Sequence, residues 1–127
     1  GRNPPKLKGN KMMILTKKIK EQLIANYIED LECDALIEKD YKPAVKLFGG
    51  SSCTWLLTQL NPRTLEAYGL CDLGMGTPEY GYVDLNELLE VKFAPFGLGI
   101  ERDRHFKADK TLMQYGMESR INGYIKA

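Results

Sequence analysis

The sequence holds one histidine, one tryptophan and three cysteines among its 127 residues, and that scarcity removes whole classes of chemistry. A Cys–His nucleophile has only His105 to act as its base, beside Cys53 or Cys71, and no local pattern supplies the third, orienting group. A zinc site would have to gather Cys33, Cys53, Cys71 and His105 from separate segments, with no C-x-x-C pair to start it. The cysteines are odd in number and lie about 20 residues apart, which builds no disulfide framework. Free thiols suit a reducing compartment, so a cytoplasmic location is expected. No apolar run approaches the roughly 20 residues of a membrane span, and the first 11 residues show no signal-peptide core. Gly74-x-Gly76 and Gly97-x-Gly99 lack the third glycine or the Lys-Ser/Thr of a phosphate loop and read as turns. Asp84 and Glu87, the most suggestive acid pair, stand at a helix start and are assigned to capping rather than acid–base work. The expectation is a non-enzymatic protein with no cofactor and no metal.

What is present is an ordinary globular mix, 43% apolar and 28% charged. The length suits one domain with its own core. Net charge is only +1, yet the charges are sorted along the chain. Residues 1–20 carry seven bases and no acid, whereas residues 21–41 carry seven acids and one base. From Thr64 to Val91 there are six acids (Glu66, Asp72, Glu79, Asp84, Glu87 and Glu90) and no Lys or Arg. A solvated face explains such a window on general grounds. The sharper reading is an acidic surface able to compete for a basic groove. Glu101 to His105 alternates in sign; if extended, it projects Arg102 and Arg104 to one side, the one candidate for an arginine-based contact.

The elements follow from local chemistry. Residues 1–12, with paired prolines, glycines and lysines, read as a flexible leader outside the fold, and residues 13–127 as a single α+β domain. Thr16 can cap a helix to about Leu31, with a stripe of Ile19, Leu23, Ile24, Tyr27, Ile28 and Leu31. Strands are predicted at Ala44–Phe48, Cys53–Leu60, Leu65–Cys71 and Glu79–Val83, joined by turn residues into an antiparallel meander. Asp84 opens a short helix to about Val91. Ile100–Phe106 is expected to be extended. A last helix runs from Asp109 or Thr111 to Asn122 with Gly123 as its stop, Leu112 and Tyr115 facing inward and Met113 and Met117 on a neighbouring stripe. The fold expected is a sheet of four to five strands with an N-terminal helix and one or two short helices.

Several blocks carry a family resemblance: ILTKKIKEQLIAN (14–26), PAVKLFG (43–49), CTWLLTQLNP (53–62), YGLCDLGMGTPEYGYVDLNEL (68–88), GLGIERDRHFKAD (97–109) and the C-terminal YGMESRINGYI. In order and spacing the chain resembles, from Met13 onward, a domain-of-unknown-function family of small proteins of conjugative plasmids, integrative elements and phages. Gln59 and Tyr80 depart from it, where members often have Glu and Leu. Trp55, Cys71, Asp72, Gly74, Glu79 and Gly81 fall on its most recognisable positions. The family has no established catalytic motif, so no active-site residue carries over.

The resemblance implies a mobile-element accessory protein, and one group of the family is described as a type II-A anti-CRISPR. The expected function is therefore anti-defence: binding a type II RNA-guided nuclease, or its guide-RNA complex, through an acidic surface and blocking DNA binding or cleavage. Glu66, Asp72, Glu79, Glu87 and Glu90 are the expected contact residues. The alternative is a conjugation or plasmid-maintenance accessory that binds DNA or a protein partner through Arg102 and Arg104.

Overall fold

The computed structural model describes residues 14–34 and 39–127, so the leader expected at 1–12 lies outside the described residues. Helix α1 (Lys17–Glu32) starts as its cap predicts: Thr16 Oγ1 accepts a hydrogen bond from the Ile19 N–H at 3.1 Å. The sheet comprises β1 (Val45–Gly49), β2 (Cys53–Leu60), β3 (Glu66–Asp72), β4 (Glu79–Asp84) and β5 (Glu101–Arg102). Its order is β4-β3-β2-β1-β5 and every pairing is antiparallel. Two further helices, α2 (Leu85–Glu90) and α3 (Leu112–Asn122), complete an α+β fold.

Strand periodicity sorts β2 onto two faces. Trp55 and Leu57 join Leu23, Val45, Leu47, Leu85 and Leu89 in the larger core, on the α1 and α2 side. Leu56 points the other way and packs with Leu70, Leu112, Tyr115 and Ile125 beneath α3. The sheet is therefore covered on both sides, which is why Trp55 to Thr58 are buried without a break along β2 rather than at every second residue.

Three local expectations change. The apolar stripe of α1 does not stay buried: Ile28 and Leu31 are 45% and 66% exposed, and Asn26 is buried instead. Asn26 faces a β-bulge at Thr58, where the register between β2 and β3 steps from Leu57↔Gly69 to Gln59↔Tyr68. Asn26 Nδ2 donates to the Thr58 carbonyl oxygen at 2.9 Å. A polar residue thus occupies the position that periodicity would give to an apolar one.

The segment Ile100–Phe106 is extended only over Glu101–Arg102. Asp103 Oδ1 accepts from the His105 N–H at 2.9 Å and the Asp103 carbonyl from the Phe106 N–H at 3.3 Å, which closes a turn. Helix α3 has the expected cap, with Thr111 and Gln114 in a reciprocal capping box, and it stops at Gly123 with φ +79°. Leu112 and Tyr115 face inward, but Met113 and Met117 lie at 44% and 64% exposure.

Candidate functional site

The acids of the Thr64–Val91 window fall into separate places. Glu66 opens β3 and stands directly across the ladder from Asp84, the last residue of β4. Like charges at opposed positions repel, so the pair raises negative potential at this end of the sheet. Asp84 also caps α2, its Oδ1 accepting from the Glu87 N–H at 3.1 Å. The chain turns from β4 into α2 at this point because the Leu85 N–H donates to the Leu65 carbonyl at 3.0 Å. Leu65 itself is held at φ +62° by the tight turn after β2. The result is an acidic corner made of Glu66, Asp84 and Glu87, with Glu90 at the far end of α2. All four side chains are exposed. Among the described residues Glu66, Asp84 and Glu87 form no ion pair.

Glu79 is exposed too, but at the opposite end of β4 and across from Cys71. Five residues of strand put it about 17 Å from Asp84. Asp72 is not on the surface at all. It is 2% exposed, Oδ1 accepts from the Gly74 N–H at 2.8 Å and Oδ2 from the Ile125 N–H at 3.0 Å. Its carboxylate ties the β3–β4 turn to the segment after α3 and has no free face for a partner. The Thr64–Val91 window was legible as acidic, but Asp84 joins the corner only through strand register, which composition does not contain.

Arg102 and Arg104 lie at the other edge of the sheet, on β5 and in the turn after it. Both line a groove against the start of α1. The cysteines and histidine are dispersed: Cys33 caps the end of α1, Cys53 and Cys71 sit on the core side of β2 and β3, and His105 is exposed in its turn. Burial pushes the Cys71 thiol up to about 11, and burial with the Asp72 charge raises Cys53, the opposite of what a nucleophilic thiolate needs. Among the described residues no three His, Cys, Asp or Glu side chains are grouped to hold a metal ion. No described helix is long and apolar enough to cross a membrane.

A family model described as "Protein of unknown function (DUF2958)" matches residues 14–126. No curated protein and no solved structure matches the chain.

Proposed function

The chain belongs to the DUF2958 family of proteins of unknown function, and from that premise we propose that it is an anti-defence protein of a mobile element. In this reading it binds a type II RNA-guided nuclease, free or guide-loaded, and blocks DNA binding or cleavage without catalysing a reaction. The mobile-element context comes from the resemblance described above. The observation that carries the physical mechanism is the acidic corner of Glu66, Asp84, Glu87 and Glu90. Such nucleases hold DNA in a positively charged channel that reads backbone geometry. A rigid protein corner with several exposed carboxylates is attracted to the same channel, and its encounter is hastened by the long-range field.

The test is charge reversal at the corner. A Glu66→Lys, Glu87→Lys, Glu90→Lys variant is expected to lose inhibition of DNA cleavage in a purified nuclease assay. Its melting temperature should stay within a few degrees of the parent, because exposed substitutions move stability by only about 0.5 kcal/mol each, and Glu87→Lys in the first turn of α2 adds a dipole cost of about 0.3–1 kcal/mol. Full inhibition by a folded triple variant would show that this corner is not the contact surface. Glu79→Lys alone is expected to leave inhibition unchanged, since that residue stands apart from the corner.

A further inference from the structure

Three cationic side chains from two separate segments meet at the edge of the sheet farthest from the acidic corner. Lys18 on α1, Arg102 on β5 and Arg104 in the following turn line one groove with a volume of about 380 Å³, together with Gln22 and Phe106. Among the described residues none of the three cations forms an ion pair. One acid, Asp103, also lines the groove, but its carboxylate is engaged elsewhere. Oδ2 lies 3.6 Å from Lys46 Nζ and Oδ1 accepts from the His105 N–H. The first turn of α1 adds no acid and contributes Lys17 and Lys18 beside the positive end of the helix dipole. Lys17 reaches forward to Glu21, one turn on, at 3.9 Å, whereas Lys18 lines the groove. Three cations thus face one acid along the groove, a positive excess that suits a polyanion.

We propose that this groove binds the phosphodiester backbone of a nucleic acid strand, with Lys18, Arg102 and Arg104 as its cationic contacts. The groove is open and its cations stand on the rim: Lys18 and Arg104 are exposed and Arg102 is half-buried. Three cations spread along an open groove suit phosphates repeated along a strand, while capture of a single small anion calls for enclosed, converging donors. Phe106 supplies an apolar wall where a sugar or base can rest. The proposal is independent of the inhibitor reading, since the groove shares no residue with the acidic corner.

The experiment is fluorescence anisotropy of labelled single-stranded and duplex DNA titrated with the full chain at about 50 mM and about 200 mM salt. Binding is expected to weaken with salt, with a logarithmic slope of about −2 on the single strand if three phosphates are neutralised. Arg102→Ala/Arg104→Ala should lower affinity about tenfold and flatten the slope by about 1.4 units. Lys18→Glu should weaken binding while holding or raising the melting temperature, because an acid is favoured in a first helical turn. That opposite pair of effects separates a binding role from a folding role. A Lys6→Gln/Lys8→Gln/Lys11→Gln chain should retain binding. The proposal is overturned if no binding is seen, if the double-arginine variant binds like the parent, or if the leader variant alone abolishes binding. Displacement of the strand by inorganic phosphate at equal ionic strength would also overturn it, marking a site for free anions instead.

Discussion

At the residue scale, Asp72 shows how a charge can be read correctly as acidic and wrongly as available. Its two oxygens each accept a backbone N–H, one from Gly74 two residues on and one from Ile125, 53 positions away. Truncation would leave the Ile125 N–H buried and unmet and free the half-buried Gly74 N–H. Asp72→Ala is expected to cost about 1–3 kcal/mol in urea unfolding, with Asp72→Asn intermediate because an amide oxygen can still serve one donor. A cost under about 0.5 kcal/mol would mean that water replaces the carboxylate freely. Tyr41 gives a prediction in pH. Its hydroxyl donates to Glu29 Oε1 at 3.1 Å, and burial, that bond and the Glu29 charge push its pKa up to about 12. The unfolded value is about 10. The folded chain therefore holds this proton longer than the unfolded chain. The stabilisation is complete below about pH 10 and is lost as pH rises toward 12. The stability difference between parent and Tyr41→Phe should shrink across that window, and parallel curves by circular dichroism would contradict the assignment.

At the element scale, caps and turn residues placed most helix and strand ends. Thr16, Asp84 and Thr111 each accept from a backbone N–H three residues on, as their positions before apolar runs imply. How helices lie on the sheet was less accessible. α3 docks through Gly116, where an added Cβ would overlap the Tyr80 hydroxyl. No periodicity announces that contact, because the small residue matters only for what a distant strand brings to it. Gly116→Ala is expected to destabilise by about 1–3 kcal/mol through overpacking, more than the roughly 1 kcal/mol that alanine adds in helix propensity. Tyr80→Phe removes the nearer of the two overlapping atoms, the ring Cζ being the other, and should recover part of the loss in a double-mutant cycle. Similar losses with and without Tyr80→Phe would place the strain elsewhere. The bulge at Thr58 was hidden for the same reason, since an extra residue in one strand is defined only by its partner's register.

At the scale of the whole molecule, a net charge of +1 conceals a polar arrangement. The acidic corner belongs to β3, β4 and α2, and the cationic groove to β5 and the start of α1. Four inter-strand steps separate β4 from β5, about 19 Å. That exceeds a Debye length at physiological salt, so each pole presents its own field to a partner. The corner-reversal and groove variants are accordingly expected to fail different assays: the first in nuclease inhibition with DNA binding retained, the second in DNA binding with its inhibition judged independently. Loss of both activities in each variant would mean that the poles act as one surface.

The chain itself settled what depends on neighbours a few residues away: the helix caps, the turn glycines, the alternation of β2 and the acidic stretch from Thr64 to Val91. Those features arise from backbone dihedrals and hydrogen bonds closed within one turn or one strand. Only the tertiary structure decided which acids share a corner, that Asp72 is consumed inside, and that Lys18 meets Arg102 and Arg104 across more than 80 positions. Strand order and register set these proximities, and they are fixed by burying both faces of the sheet at once, a constraint that no local window of sequence contains.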